Sequence, residues 1–97
     1  MISNIGSIKI KVTQDHIDMG FRGFSYSCPL ALAINDRIGD KNYRASVVPF
    51  LAIAKLFERS QPTISFRLSK AAAVFGTQFD NNFPVKPSIF VLKRLIK

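Results

Sequence analysis

Ninety-seven residues fit one domain, since domains run ~50–250 residues, and they leave no room for two separate cores. Hydrophobic residues at 47% against 21% charged are ordinary globular usage and exclude wholesale disorder. With 14 Lys and Arg against 6 Asp and Glu the chain carries +8, and its 1 Cys and 1 His exclude an internal disulfide and the usual zinc ligand sets.

The first residues, Met1 to Ser7, lack a basic stretch followed by an apolar run, so no secretory leader is expected. Residues 7–13 alternate: Ile8, Ile10 and Val12 face one way, Lys9 and Lys11 the other, as in a half-buried strand. Thr13 N-caps a short helix over 14–19, with Gly20 as its stop. Residues 20–27 form a glycine-punctuated loop holding Phe21, Phe24 and Tyr26 beside Arg22. Pro29 suits the first position of a helix over 29–38, capped by Ser27 or Cys28 and ended by Gly39. Leu30, Ile34 and Ile38 form its buried stripe.

Residues 40–42 are a turn and 43–48 a strand with β-branched Val47 and Val48. Residues 50–57 fit a helix (Phe50, Ile53, Ala54, Phe57) or a strand buried on both faces; the strand is the preferred reading. The apolar stretch 45–57, broken by Ser46, Pro49 and Lys55, is too short for the ~20 residues that cross a bilayer, so no membrane is expected. A connection at 58–61 leads past Pro62 to a strand over 63–68, with Ile64, Phe66 and Leu68 inward and Thr63, Ser65 and Arg67 outward. Ser69 caps a third helix, 70–80, whose inner face is Ala72, Phe75 and Phe79, and Asn81 or Asn82 ends it in a left-handed turn. Residues 88–95 form a last strand before a basic tail. The fold class is therefore α+β: a small antiparallel sheet in the order β-α-α-β-β-β-α-β with helices packed on one face, residues 1–97 being a single domain.

Val12-Thr13-Gln14-Asp15-His16-Ile17, then Gly20 with Arg22-Gly23, then Cys28-Pro29-Leu30-Ala31-Leu32-Ala33-Ile34 resembles short uncharacterised proteins encoded by bacteriophages and prophages. Phe79-Asp80, Val85, Pro87, Phe90 and Leu92 follow the same pattern in the C-terminal half. The resemblance implies a viral origin and a small α+β fold, and it implies no activity. Such proteins tend to be neutral or acidic, whereas this chain is strongly basic.

The charge is lopsided: residues 1–48 carry 6 basic and 4 acidic groups, residues 49–97 carry 8 and 2. Lys9, Lys11 and Arg67 project from polar strand faces, and Lys93 and Arg94 lie near the end of the chain. If those strands adjoin, they form one positive surface suited to phosphate. A basic face that only keeps the protein dispersed is the plainer alternative. In the loop, Phe21, Arg22, Phe24 and Tyr26 are able to stack on bases or anchor a partner. The preferred reading folds these rings back over the core, because a small chain needs its aromatics inside.

Cys28 stands at a helix start, where a thiol pKa falls, and His16 is the one candidate base, with Asp15 or Asp18 to orient it; the preferred readings are a buried or capping cysteine and a histidine with a surface or packing role. No arginine stands six residues after Cys28, no phosphate-cradling glycine loop is present, and the acids form no close pair, so no catalytic residues, metal ligands, cofactor or small-molecule substrate are assigned. The expected function is that of a small non-enzymatic accessory protein of the cytoplasm, the host's if viral. It would bind an acidic partner, nucleic acid or a host protein complex that handles it, through Lys9, Lys11, Arg67, Lys93 and Arg94. The alternatives are a protein inhibitor docking through the aromatic loop and a self-assembling viral component pairing its 43–68 strands edge to edge. The oligomeric state is left open.

Overall fold

The computed structural model describes residues 6–59 and 61–95, with the side chains of 61–63 left out of the description. The readings placed on residues 1–5, on Ser60, on the outward side chain of Thr63 and on the tail as far as Lys97 lie outside it. The elements run β1 (Ser7–Val12), α1 (Gln14–Met19), α2 (Pro29–Ile38), β2 (Tyr43–Val48), a 3₁₀ turn (Pro49–Leu51), β3 (Ile53–Glu58), β4 (Gln61–Arg67), α3 (Lys70–Asp80) and β5 (Ser88–Arg94). The strands form one antiparallel sheet in the order β1-β5-β4-β3-β2. This is the α+β architecture expected from the pattern of the sequence.

Alternation decides which face is dry. Ile8, Ile10 and Val12 of β1, Phe90 and Leu92 of β5, Ile64 and Phe66 of β4, Ala54 and Leu56 of β3 and Ala45 and Val47 of β2 are all buried. They meet Leu30, Ala31, Ala33 and Ile34 of α2 and Ala72 and Phe75 of α3 in one cluster. The helix α2 touches both edge strands, β1 and β2, so the sheet curls around it. Every helix start follows its sequence signal. Thr13 caps α1 and Ser69 caps α3, where its hydroxyl accepts from the Ala72 N–H at 3.1 Å; Pro29 opens α2 and Gly39 closes it at φ 66°.

The segment 50–57 departs from expectation. Pro49 cannot continue the ladder as a donor, and the chain turns over Pro49–Leu51 with Ala52 left-handed at φ 54° before β3 begins at Ile53. Phe50 is consequently 90% exposed, and β3 is buried only through Ala54 and Leu56, not on both faces. Gly20 does end α1, yet with an extended backbone at φ −74°. Its lack of a side chain matters for space, because a Cβ there would lie 2.7 Å from Pro29 Cδ.

The free edge of β2 is closed. The N–H groups of Tyr43, Ala45 and Val47 donate to Asp40 O at 3.1 Å, Asn35 Oδ1 at 2.8 Å and Ser25 O at 2.8 Å. A second copy pairing along 43–48 would have to displace all of them, and β3 and β4 are interior strands.

Gly76 sits where α3 crosses the 3₁₀ turn: a Cβ there would stand 2.5 Å from Pro49 Cγ and 3.1 Å from Leu30 Cδ1. Alanine ordinarily gains ~0.5–1 kcal/mol over glycine inside a helix. Overpacking against a rigid proline ring costs ~1–3 kcal/mol, so Gly76→Ala is expected to destabilise the fold in urea titration. An unchanged or higher midpoint would contradict this packing.

Candidate functional site

The helices α2 and α3 cover one side of the sheet and α1 packs on α2, with Ile17 against the same core, which leaves the other side bare. On that side stand Lys9 and Lys11 of β1, Lys93 of β5, Arg67 of β4, Lys55 of β3 and Arg44 of β2, all exposed. Every strand contributes a cation. Among the described strand residues the one carboxylate is Glu58, which alternates to the other face in register with Tyr43. Between the cations lie apolar side chains: Lys9 pairs with Val91, Lys11 with Ile89 and Arg67 with Ile53.

Arg67 stands directly opposite Lys93, and Lys55 lies diagonal to Arg67 because it pairs with Ser65. Like charges directly opposite across an antiparallel pair are unfavourable by ~0.2–1 kcal/mol. The sheet thus holds a positive stripe that it would lose less stability without, and an anion lying on it would relieve the repulsion.

At the β2–β3 end of this face a hollow of about 410 Å³ is lined by Tyr26, Lys41, Asn42, Arg44, Phe57 and Arg59. The Ser25 carbonyl fastens the 20–28 loop to the edge of β2, and Tyr26 is carried over that edge. The Arg44 guanidinium lies 4.4 Å from the centre of the Tyr26 ring, and the Tyr26 and Phe57 centroids are 6.0 Å apart. Two rings among three cations, with no carboxylate in the lining, suit a base and its phosphates.

The sequence-derived residues separate on this frame. Lys9, Lys11, Arg67 and Lys93 share the open face. Arg94 does not join them: it follows Lys93, pairs with buried Phe66 and so alternates to the helix-bearing side, half-buried. Lys55 and Arg44 were missed. Lys55 is an interruption in a strand taken as buried on both faces, but the run Ile53, Lys55, Phe57 carries the outward phase. Arg44 shows the same signal by alternating with buried Ala45.

The loop aromatics do not fold back over the core. Phe21 and Phe24 are 62% and 64% exposed and meet edge to face at 6.2 Å. The core is filled without them by the inward strand residues and α2. The loop is instead fastened at the end of α3, where Arg22 lies over the Phe79 ring at 5.9 Å and the Gly23 N–H donates to Asp80 Oδ1 at 3.1 Å. Of the loop residues singled out, only Tyr26 reaches the sheet's open side.

His16 holds helices together. The Thr13 N–H donates to His16 Nδ1 at 3.0 Å while the His16 N–H donates to Thr13 Oγ1 at 3.3 Å, a capping box with histidine in the place usually taken by Glu or Gln. With Nδ1 accepting, Nε2 donates to Asp36 Oδ2 of α2 at 2.5 Å. The orienting acid is thus Asp36, not Asp15 or Asp18, and Asp18 accepts from Gln14 instead. Both ring nitrogens are committed to the fold.

Cys28 is buried. Burial pushes its thiol above the ordinary value, the backbone hydrogen bond with Ala31 lowers it, and the Asp80 charge raises it again, for a net rise. Cys28 is thus the buried capping cysteine that the sequence reading prefers, and desolvation overrides the helix-start effect. Among the described residues no three of His, Cys, Asp and Glu come together to hold a metal ion, and no helix is long and apolar enough to cross a membrane. No family model, no curated protein and no solved structure matches the chain.

Cys28 is expected to resist iodoacetamide in the native protein at neutral pH and to react fully in denaturant, as read by intact mass. Rapid native alkylation would contradict the raised, buried thiol.

Proposed function

We propose that this chain is a small non-enzymatic binding protein whose open sheet face takes an acidic macromolecule, and that single-stranded nucleic acid is the partner that face fits best. The observation that carries the reading is the cationic stripe itself: Arg67 opposite Lys93 with Lys55 diagonal, flanked by Lys9, Lys11 and Arg44 and free of carboxylates. Phosphates neutralise such a stripe and release counterions. Apolar Ile53, Ile89 and Val91 between the charges, and the Tyr26–Phe57 hollow at one end, give bases somewhere to lie. Splayed single strands present their bases in this way, whereas duplex does not. A host protein complex that handles nucleic acid meets the same face through its own acidic surface. The setting proposed for it, on the resemblance to phage proteins, is the cytoplasm of an infected host.

Fluorescence anisotropy with a labelled oligothymidine tests the reading. Each neutralised phosphate adds ~0.7 to the log–log salt slope, so ~5 contacts weaken binding about a hundredfold between ~50 and ~200 mM salt. Lys93→Glu is expected to weaken binding sharply while leaving stability equal or higher, because it replaces a repulsive pair with an attractive one. Salt-independent binding, or a Lys93→Glu variant that binds like the parent, would overturn the assignment.

A second reading is favoured by one specific observation. Phe24 and Phe50 line a common hollow of about 300 Å³ with Val48 and Pro49, and both rings are largely exposed. Exposed rings of this kind mark protein docking surfaces, and such docking would place an inhibitor's anchor here. A partner captured by the parent but lost on Phe24→Ala or Phe50→Ala, with little salt dependence, would favour this surface over the basic face.

A further inference from the structure

The cations of the open face fall on one line. Lys11 and Lys9 share β1, and Lys9 pairs with Val91, which places it diagonal to Lys93 on β5. Lys93 stands opposite Arg67 on β4, Arg67 is diagonal to Lys55 on β3, and Lys55 is diagonal to Arg44 on β2, because Arg44 pairs with Phe57. Opposite residues lie ~5 Å apart and diagonal ones ~7–8 Å, and the two lysines of β1 are about 7 Å apart along the strand. Each step moves across the sheet, along it, or both, always in the same sense. The track therefore crosses all five strands without doubling back, as a linear polyanion requires.

The two ends of this track differ. Lys11 ends it beside uncharged Ile89. Arg44 ends it on the last strand of the sheet, where the 20–28 loop is fastened along the outer side. There Lys41 and Arg59 join Arg44 around the hollow of about 410 Å³ that Tyr26, Asn42 and Phe57 complete. That volume lies in the range of small-ligand sites, ~300–1,000 Å³. Among the described residues none of these three cations is in an ion pair. Asp40 stays out of the lining, and its Oδ1 accepts from the Asn42 N–H at 2.9 Å. The Arg44 guanidinium is held over the Tyr26 ring, so its fork of donors is set in place for two phosphate oxygens. Arg59 opens the connection between paired Glu58 and Gln61, and its φ is 52°. Glycine, asparagine or aspartate holds such a position at least cost. Arginine stands there against the preference of the turn, and the strain goes with a cation delivered to the hollow.

Resting on the single-strand reading of the open face, we propose that this hollow takes the phosphorylated end of the strand. The last base lies against the Phe57 and Tyr26 rings, and the terminal phosphomonoester sits among Lys41, Arg44 and Arg59. An internal phosphodiester carries a single negative charge, whereas a phosphomonoester carries ~1.5–2 at neutral pH. Three unpaired cations around one hollow exceed what a passing strand supplies and match an end. The rest of the strand follows the track from Lys55 toward Lys11, and because a nucleic-acid strand has direction, only one of its two ends fits this way.

The probes are oligothymidines of about eight nucleotides, labelled with fluorescein on an internal base and read by anisotropy. One carries a 5′-phosphate, one a 3′-phosphate, and one hydroxyls at both ends. One phosphorylated form is expected to bind at least ~10-fold more tightly than the hydroxyl-ended form, the scale of added charge-assisted hydrogen bonds. Which of the two gains names the end recognised. Arg59→Gly suits the left-handed turn better than arginine, so its urea midpoint should hold or rise while the affinity ratio between that form and the hydroxyl-ended one falls toward one. Lys93→Glu should weaken both forms together and keep the ratio. Salt-dependent binding with equal affinity for all three oligonucleotides would leave the single-strand reading standing and refute end recognition. So would an equal gain from either phosphate, which marks added charge alone, or a ratio untouched by Arg59→Gly. Failure of every form to bind would sink both.

Discussion

Everything in this fold turns on burial from one side only. The apolar stripe of α2, Leu30, Ala31, Ala33 and Ile34, is fully enclosed and touches strands at both ends of the sheet order. A strand has two faces and period two, so once α2 claims the inward residues the outward set is fixed to solvent. Each large inward side chain contributes ~1.5–3 kcal/mol of burial. That outweighs the ~0.2–1 kcal/mol that a repulsive cross-strand pair costs. The core therefore has stability to spare for Arg67 opposite Lys93, and the cations collect on the face that the core does not need.

The same geometry separates the surface into regions of different chemistry. The open face is cationic with apolar residues between charges. The end around Phe24 and Phe50 is aromatic, with Asp80 in the lining of its hollow. The trough between α3 and β5 is apolar, with Lys70 and Lys86 at its rim. His16, tied to Thr13 and Asp36, and Cys28, whose thiol burial pushes above its ordinary value, belong to the scaffold. The proposal of a recognition surface rests on these exposed regions, while His16 and Cys28 are engaged or enclosed.

Most of the architecture was legible because strong local signals agree: Thr13 and Ser69 as caps, Pro29 and Gly39 bracketing α2, and clean alternation in β1 and around Phe66. The failures share a cause. Where a run is apolar throughout, as at 50–57, period cannot choose its phase, and the turn at Pro49 that resets the phase is a tertiary matter of α3 pressing on Pro49 through Gly76. That error hid Lys55. Arg94 adds to the positive charge of β5 but is out of phase with Lys93, and charge alone carries no phase. The pairing of His16 with Asp36 and the passage of Tyr26 over the β2 edge depend on contacts between elements distant in sequence, and nothing local announces them. The exposed Phe21 and Phe24 show that aromatic content does not measure the core.

The central claim is that the open face of the sheet is where the acidic partner lies. An NMR titration of the full chain with oligothymidine at low salt addresses it residue by residue. The account requires the largest amide shifts at Lys9, Lys11, Lys55, Arg67, Lys93 and the Tyr26–Phe57 hollow, reversing as salt is raised. Shifts confined to residues 21–24 and 50–51, or none at any position, would contradict it.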